Sequence, residues 1–136
     1  PKGADEAGRP WGLLRMGDTA EQPLADFMQT VKKNLGCEGL RYIDSNIPVR
    51  KVAVGGGACA GEMCRAVAAG CDTFVTADVR YNQFWDAQNM GINMIDAGHF
   101  HTENPVCTYL AEKLQEAFPE VTVLQSKQHT DCAKFF

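Results

Sequence analysis

Short apolar runs alternate with amphipathic segments along the second half of the chain. The runs that predict strands are residues 49–54, 73–76, 92–97 and 121–124. The segments that predict helices are residues 59–69 and 81–90, and a later helix ending at Phe118. The alternation of strand and helix predicts an α/β fold, with a mostly parallel sheet and helices on its faces. Continuous apolar strands are expected when both faces of a sheet are covered.

The first part of the chain is less regular. Residues 1–10 are polar and rich in Gly and Pro, which predicts a disordered lead-in or linker. Residues 11–136 are expected to form a single α/β domain that is half of a longer chain. Further strands are predicted over residues 11–17 and 40–43, with a helix between them that begins at Pro23. The helix that ends at Phe118 is expected to bury one apolar face, formed by Val106, Leu110, Leu114 and Phe118.

Composition narrows the class of partners. The 136 residues include 13 Lys+Arg against 17 Asp+Glu, and the formal net charge of −4 argues against general nucleic-acid binding. Apolar runs fall short of the roughly 18 residues that a membrane-spanning helix needs, so no membrane partner is expected. The 6 cysteines lie in apolar stretches without a C-x-x-C pair. Free thiols and no signal peptide predict a cytoplasmic protein.

Polar residues follow three of the predicted strands. They are Gly55-Gly56-Gly57, Asp78 and the segment 96–103, and they should meet at the carboxyl edge of the sheet. The glycine loop is more typical of a tight turn between a strand and a helix than of a nucleotide-binding site. Contact between its backbone amides and a phosphate group stays an alternative. Asp78 is either a base or metal-positioning group, or the N-cap of the next helix. Asn82 should lie in the first turn of that helix, facing the same cleft.

The segment 96–103 contains two of the chain's three histidines, His99 and His101, flanked by Asp96 and Glu103. Such side chains are suitable ligands for zinc, manganese or iron. In an extended loop the two histidines would point the same way. In a helix, His99 and Glu103 would share a face at i and i+4. The alternative to metal binding is a pair of surface histidines beside a Glu stabilised by the helix dipole.

Several of these elements together resemble the C-terminal half of the Nif-three-like family, whose members are often labelled GTP cyclohydrolase I type 2. The motif with the highest specificity is Asp96-Ala97-Gly98-His99-x-x-Thr102-Glu103. It follows the other matching elements in the family's order, and these are Gly12-x-x-Arg15-x-Gly17, Gly55–Gly57, Thr76-x-Asp78, Tyr81 and Asp86-Ala87. The resemblance extends over nearly the whole chain from about Trp11, and it implies the C-terminal half of the Nif-three-like fold.

The resemblance also implies a site and partners. Family members hold two divalent metal ions with ligands from both halves of a longer chain, and His99 and Glu103 match the ligands of the C-terminal half. This favours the helical geometry. The N-terminal half supplies a His-His pair and an Asp, and no His-His pair occurs in this sequence. The implied partners are that N-terminal half and further copies of the chain in oligomeric, hexameric rings.

The function implied by the resemblance is that of a dinuclear-metal-dependent hydrolase acting on a nucleotide or phosphoester substrate. His99 and Glu103 would bind metal, Asp78 would act as supporting residue or base, and Gly55–Gly57 would hold an anionic group. Asn82 replaces a common family His and can form hydrogen bonds but cannot act as an acid or base. The alternative is a non-catalytic metal-binding scaffold. With two ligands per chain, this chain alone is expected to bind metal weakly or not at all and to be inactive.

Overall fold

The computed structural model describes residues 3–8 and 10–135. Its strands are β1 (Gly3–Ala4), β2 (Pro10–Trp11), β3 (Arg15–Gln22), β4 (Arg41–Ile43), β5 (Val49–Val54), β6 (Thr73–Thr76) and β7 (Asn93–Asp96). Its α-helices are α1 (Leu24–Leu35), α2 (Met63–Ala68), α3 (Tyr81–Met90), α4 (His99–Glu103) and α5 (Pro105–Ala117). A 3₁₀ turn, Ala60–Glu62, precedes α2.

The main sheet has 5 strands in the order β3-β5-β6-β7-β4. The three central strands β5, β6 and β7 run parallel, and the two edge strands β3 and β4 run antiparallel to their neighbours. The predicted α/β class with a mostly parallel sheet is therefore confirmed. Its parallel centre places the carboxyl ends of β5, β6 and β7 along one edge.

Apolar side chains are buried on both faces of this sheet. Phe74 and Met94 pack with Met63 of α2 on one face. Val75 and Ile95, the next residue of each strand, pack with Val31 of α1 on the other. Successive strand residues point to opposite faces, so each central strand supplies both cores. This explains why the central strands are continuous apolar runs.

The N-terminal segment differs from its prediction. Where a disordered lead-in was expected, Gly3–Ala4 pairs antiparallel with Pro10–Trp11, while residues 1, 2 and 9 lie outside the described residues. The strand predicted over residues 11–17 instead spans Arg15–Gln22. This edge strand is mostly exposed and polar, so it lacks an apolar signal. The division into residues 1–10 and 11–136 stays a prediction.

The strand predicted over residues 121–124 does not form. The place beside β7 that a fourth parallel strand would take is occupied by β4, whose Tyr42 pairs with Ile95. The Gln115 side chain instead contacts this segment, donating to the carbonyl of Val121 at 2.9 Å and accepting from the amide of Val123 at 3.3 Å.

Helix α5 also departs from its prediction, because its apolar face is not buried. Each side chain that was predicted to be buried has about half of its surface exposed. These side chains are Val106, Leu110, Leu114 and Phe118. Leu114 also lines an open groove of about 390 Å³ between α5 and the segment 123–126. The amphipathic pattern predicted the helix correctly, but it did not determine whether this chain covers the apolar face.

None of the six cysteines forms a disulfide bond. Cys37 and Cys71 are buried, and burial raises the pKa of both thiols. Cys64, Cys107 and Cys132 are exposed, although the sequence around the cysteines is apolar. Among the described residues, no helix combines the length and apolar character required to cross a membrane.

Candidate functional site

The three loops that follow the central strands meet at the carboxyl edge of the sheet, as the sequence predicted. The amide of Gly55, directly after β5, donates to the carbonyl of Val75 at 2.9 Å. The amide of Ala97, directly after β7, donates to the carbonyl of Thr76 at 2.9 Å. These bonds continue the parallel ladder beyond the strand ends and bring the loops together.

Asp78 and His99 are in direct contact at this edge. Oδ2 of Asp78 lies 2.6 Å from Nδ1 of His99. Asp78 has a φ of 51°, in the left-handed region that Asp tolerates better than most residues. It is not the N-cap of α3, since that position is taken by Arg80, whose amide donates to the Gln83 side chain. The Asp78 carboxylate is thus directed toward His99.

Helix α4 resolves the two geometries considered for the histidine segment in favour of the helix. His99 and Glu103 share a face, with Nε2 of His99 3.2 Å from Oε2 of Glu103. His101 points elsewhere, with its Nδ1 3.2 Å from the carbonyl oxygen of Leu35 and its Nε2 3.3 Å from Oδ2 of Asp131. The helix therefore separates the two histidines, and only His99 lies beside Asp78 and Glu103.

The two carboxylates change the protonation of His99. The hydrogen bond to Asp78 is the largest influence and raises the pKa of His99 above its ordinary value, and the negative charge of Glu103 raises it further. An ionised carboxylate can only accept a hydrogen bond, so Asp78 favours a proton on Nδ1. Loss of the second proton then leaves the lone pair of Nε2 beside Glu103, which is the arrangement a metal ligand requires.

The glycine loop lies against α4. The amide of Gly57 donates to Oγ1 of Thr102 at 3.0 Å, and this hydroxyl lies 3.0 Å from the carbonyl oxygen of Gly98. Gly57 has a φ of +63°, and a Cβ built on it would lie 2.2 Å from Oε1 of Glu103. The backbone amides of Gly55 and Gly57 thus already donate hydrogen bonds to other groups of the protein. The prediction that Gly55–Gly57 hold an anionic group stays a prediction.

Asn82 lies in the first turn of α3 and is exposed, four residues after Asp78. The residues that sequence reasoning missed are supporting ones. Thr102 was noted only as part of a motif, although it bonds the glycine loop. Asp96 was considered as a metal ligand, but it is 6% exposed and its carboxylate pairs with Arg41, so it is not available as one. The signal in the sequence for this supporting role was the position of Asp96 at the end of a buried strand.

The donor set fits part of a metal site. His99 and Glu103 offer one imidazole nitrogen and one carboxylate on an exposed face, and Gly57 leaves the space that Glu103 occupies. In the described part of the chain, no group of three or more His, Cys, Asp or Glu side chains could hold a metal ion together. Tight sites use three or four protein ligands. His99 and Glu103 therefore fit two coordination positions of a metal ion, and groups outside this pair would have to fill the remaining positions.

Comparison with known proteins agrees with this fold and motif. The family model for Duf34/NIF3 (NGG1p interacting factor 3) matches residues 5–132. A "GTP cyclohydrolase 1 type 2 homolog" of Clostridium perfringens is 32% identical over 119 residues, which are 86% of this chain and 45% of that protein. The protein of the same name from Pseudomonas aeruginosa is 35% identical over 119 residues, 86% of this chain and 46% of its own length.

Solved structures show the same fold. A Bacillus cereus protein related to NIF3 superposes with a TM-score of 0.79 at 33% identity, over 92% of this chain and 36% of that one. A Staphylococcus aureus hypothetical protein gives a TM-score of 0.83 at 28% identity, over 92% of this chain and 43% of that one. The protein is an α/β protein with a His–Glu pair at the carboxyl edge of its sheet, and it belongs to the Duf34/NIF3 family. The chain spans about half the length of the curated relatives it matches.

Proposed function

We propose that this chain supplies His99 and Glu103 to a site for two divalent metal ions in a metal-dependent hydrolase. The observation that carries the proposal is the 3.2 Å separation of Nε2 of His99 and Oε2 of Glu103 on one exposed helical face. The Asp78 carboxylate occupies the other imidazole nitrogen, as partners of metal-bound histidines commonly do. When bound, a pair of divalent ions would supply Lewis acidity and an activated water.

The remaining ligands would come from the N-terminal half of a longer chain, because the relatives are about twice as long as this chain. The substrate class is suggested by the name of those relatives, which points to a nucleotide or another phosphoester. In this scheme Asp78 orients His99, and exposed Asn82 offers a hydrogen bond to a substrate or a water. Zinc, manganese and iron all suit a site of His and carboxylate ligands.

Calorimetry tests the metal site directly. Zn²⁺, Mn²⁺ or Fe²⁺ titrated into the protein should bind more weakly than micromolar, since this chain offers only two donors. The variant His99→Ala with Glu103→Ala should abolish that binding, while His129→Ala, which removes a histidine of the C-terminal segment, should preserve it. Metal binding that survives the double variant would contradict the proposal. Turnover of a nucleotide or phosphoester panel by the metal-loaded full-length protein tests the hydrolase activity.

A second candidate function is a non-catalytic metal-binding scaffold in an oligomer. The observation that favours it is the apolar stripe on α5, whose Leu110 and Leu114 are about half exposed in this chain. Contiguous exposed apolar surface is typical of protein contacts. Sedimentation of the protein and of Leu110→Glu tests this role. A monomer in both cases, together with metal-dependent turnover, would exclude the scaffold in favour of the enzyme.

A further inference from the structure

Asp96 is a buried carboxylate at the end of β7 that contacts both loops carrying the site. Its Oδ2 accepts the amide N–H of Val79 at 3.1 Å, and its Oδ1 accepts the amide N–H of Gly98 at 3.1 Å. Val79 is the residue after Asp78, and Gly98 is the residue before His99. One side chain therefore holds the backbone on both sides of the Asp78–His99 hydrogen bond.

The charge of Asp96 is balanced from the neighbouring edge strand. Arg41 of β4 is the register partner of Asp96 in β7, and its guanidinium pairs with Oδ2 of Asp96. Nη2 of Arg41 also donates to the carbonyl oxygen of Val79 at 3.0 Å. Val79 is thus held through both its amide and its carbonyl. A buried carboxylate with one cation and two amide donors is well satisfied and holds its surroundings firmly.

The backbone at Asp78, in one of the two anchored loops, adopts a conformation that needs such support, with a φ of 51°. A left-handed conformation at a residue other than glycine costs free energy and persists only where the surrounding contacts impose it. The hydrogen bond from the Val79 amide to Asp96 holds the residue directly after Asp78.

We propose that Asp96 is a positioning residue of the candidate metal site, which sets the Asp78–His99 hydrogen bond and thereby the nitrogen that His99 presents to a ligand. Arg41 acts with it as counter-ion. The inference rests on the proposed function only for its consequence in metal binding. The effect of Asp96 on which nitrogen of His99 carries the proton is a property of the metal-free protein.

The tautomer of His99 can be measured in the metal-free protein by ¹⁵N NMR of the imidazole, with chelator present, at a pH where the ring is neutral. The wild type should carry its proton on Nδ1, because Asp78 accepts it. In Asp96→Asn the loops loosen, and Glu103, 3.2 Å from Nε2, competes as acceptor and shifts the proton toward Nε2. A folded D96N variant that keeps the Nδ1 proton fully would overturn the inference.

Asp72→Asn is the matched control. Oδ2 of Asp72 also accepts two backbone amides, from Lys51 at 2.8 Å and Arg50 at 3.0 Å, at the start of β6 on the opposite edge of the sheet. Asp72→Asn should lower the free energy of unfolding, as D96N does, and should leave the His99 tautomer unchanged. A tautomer shift in D72N as large as in D96N would assign the effect to general loosening, against the inference. If D96N does not fold, the D96N/R41M double variant, which leaves no cation without its partner, decides the same question.

Zinc calorimetry separates this inference from the proposed function. If the metal site exists, D96N should bind zinc about 10-fold or more weakly, as expected when the partners of a metal-bound histidine are disturbed. D72N should bind as the wild type does. If the full-length protein, with its N-terminal half present, binds no zinc, the proposed function fails, while the tautomer comparison still supports or overturns the role of Asp96.

Discussion

Oδ2 of Asp78 lies 2.6 Å from Nδ1 of His99, although the two residues are 21 positions apart in the chain and follow different strands. This contact links the loop after β6 to the first residue of α4. It engages one imidazole nitrogen and leaves the other beside Glu103. The candidate site is therefore a short chain of three side chains, Asp78, His99 and Glu103, along the carboxyl edge of the sheet.

Removing the Asp78 carboxylate should lower the pKa of His99. Asp78→Asn replaces the carboxylate with a neutral amide and weakens the hydrogen bond that contributes most to the raised pKa, so the pKa should fall toward its ordinary value of about 6.5. An NMR titration of the His99 ring measures this. The control Glu21→Gln also removes one carboxylate, which pairs with Arg50 at 2.8 Å, and should leave the pKa of His99 unchanged. An unchanged pKa in D78N would contradict the assignment.

The contribution of His99 to stability should decrease as the pH rises. The pKa of His99 is raised in the folded protein, so the stabilisation is fully present below the unfolded value of about 6.5 and is lost as the pH rises through the folded value. His99 is 49% exposed, so solvent screening keeps the effect small. Urea unfolding of wild type and His99→Gln across this range gives the difference. A difference that grows with rising pH would have the wrong sign.

Loss of the Thr102 hydroxyl should loosen α4 from the glycine loop. Thr102→Val keeps the shape but leaves the Gly57 amide without its acceptor, a cost of about 1–3 kcal/mol if that amide stays dry. Chemical unfolding measures the loss, and zinc titration should show weaker binding. Thr102→Ser should restore both. Thr30→Val, which removes an exposed hydroxyl bonded to a carbonyl within α1, should change neither measurement appreciably.

A methyl group at Gly57 should displace Glu103. In Gly57→Ala the new Cβ would lie 2.2 Å from Oε1 of Glu103, and the φ of +63° adds strain of roughly 1–2 kcal/mol. Gly91→Ala is the matched control, with a φ of +68° and no atom within 4 Å of its Cβ. Both variants should lose stability, but only G57A should lose zinc binding. Equal zinc binding by the two variants would show that Glu103 is not a ligand.

Local signals predicted the central elements well. The strands Val49–Val54 and Thr73–Thr76 and the helix Tyr81–Met90 have the bounds that the apolar pattern predicted. Each is a continuous apolar or amphipathic segment bounded by glycine or turn residues, so its signal is contained in its own residues. The edge strand Arg15–Gln22 was misplaced, because an edge strand with little buried surface needs no apolar run.

The candidate site could be predicted in part. The i, i+4 spacing of His99 and Glu103 is a property of one helix, and it was one of the two geometries that the sequence allowed. The roles of Thr102 and Asp96 could not be predicted in the same way. Each depends on which loops meet at the sheet edge, as the bonds from Gly57 and Val79 show.

The sequence by itself determined the α/β class, the central strands and the family, because apolar periodicity and the motif Asp96 to Glu103 are local properties of the chain. The tertiary structure decided which side chains are partners. It placed β4 beside β7, excluding a strand at residues 121–124, and it left the apolar face of α5 exposed. Burial and pairing depend on contacts between distant segments, and no local pattern specifies those contacts.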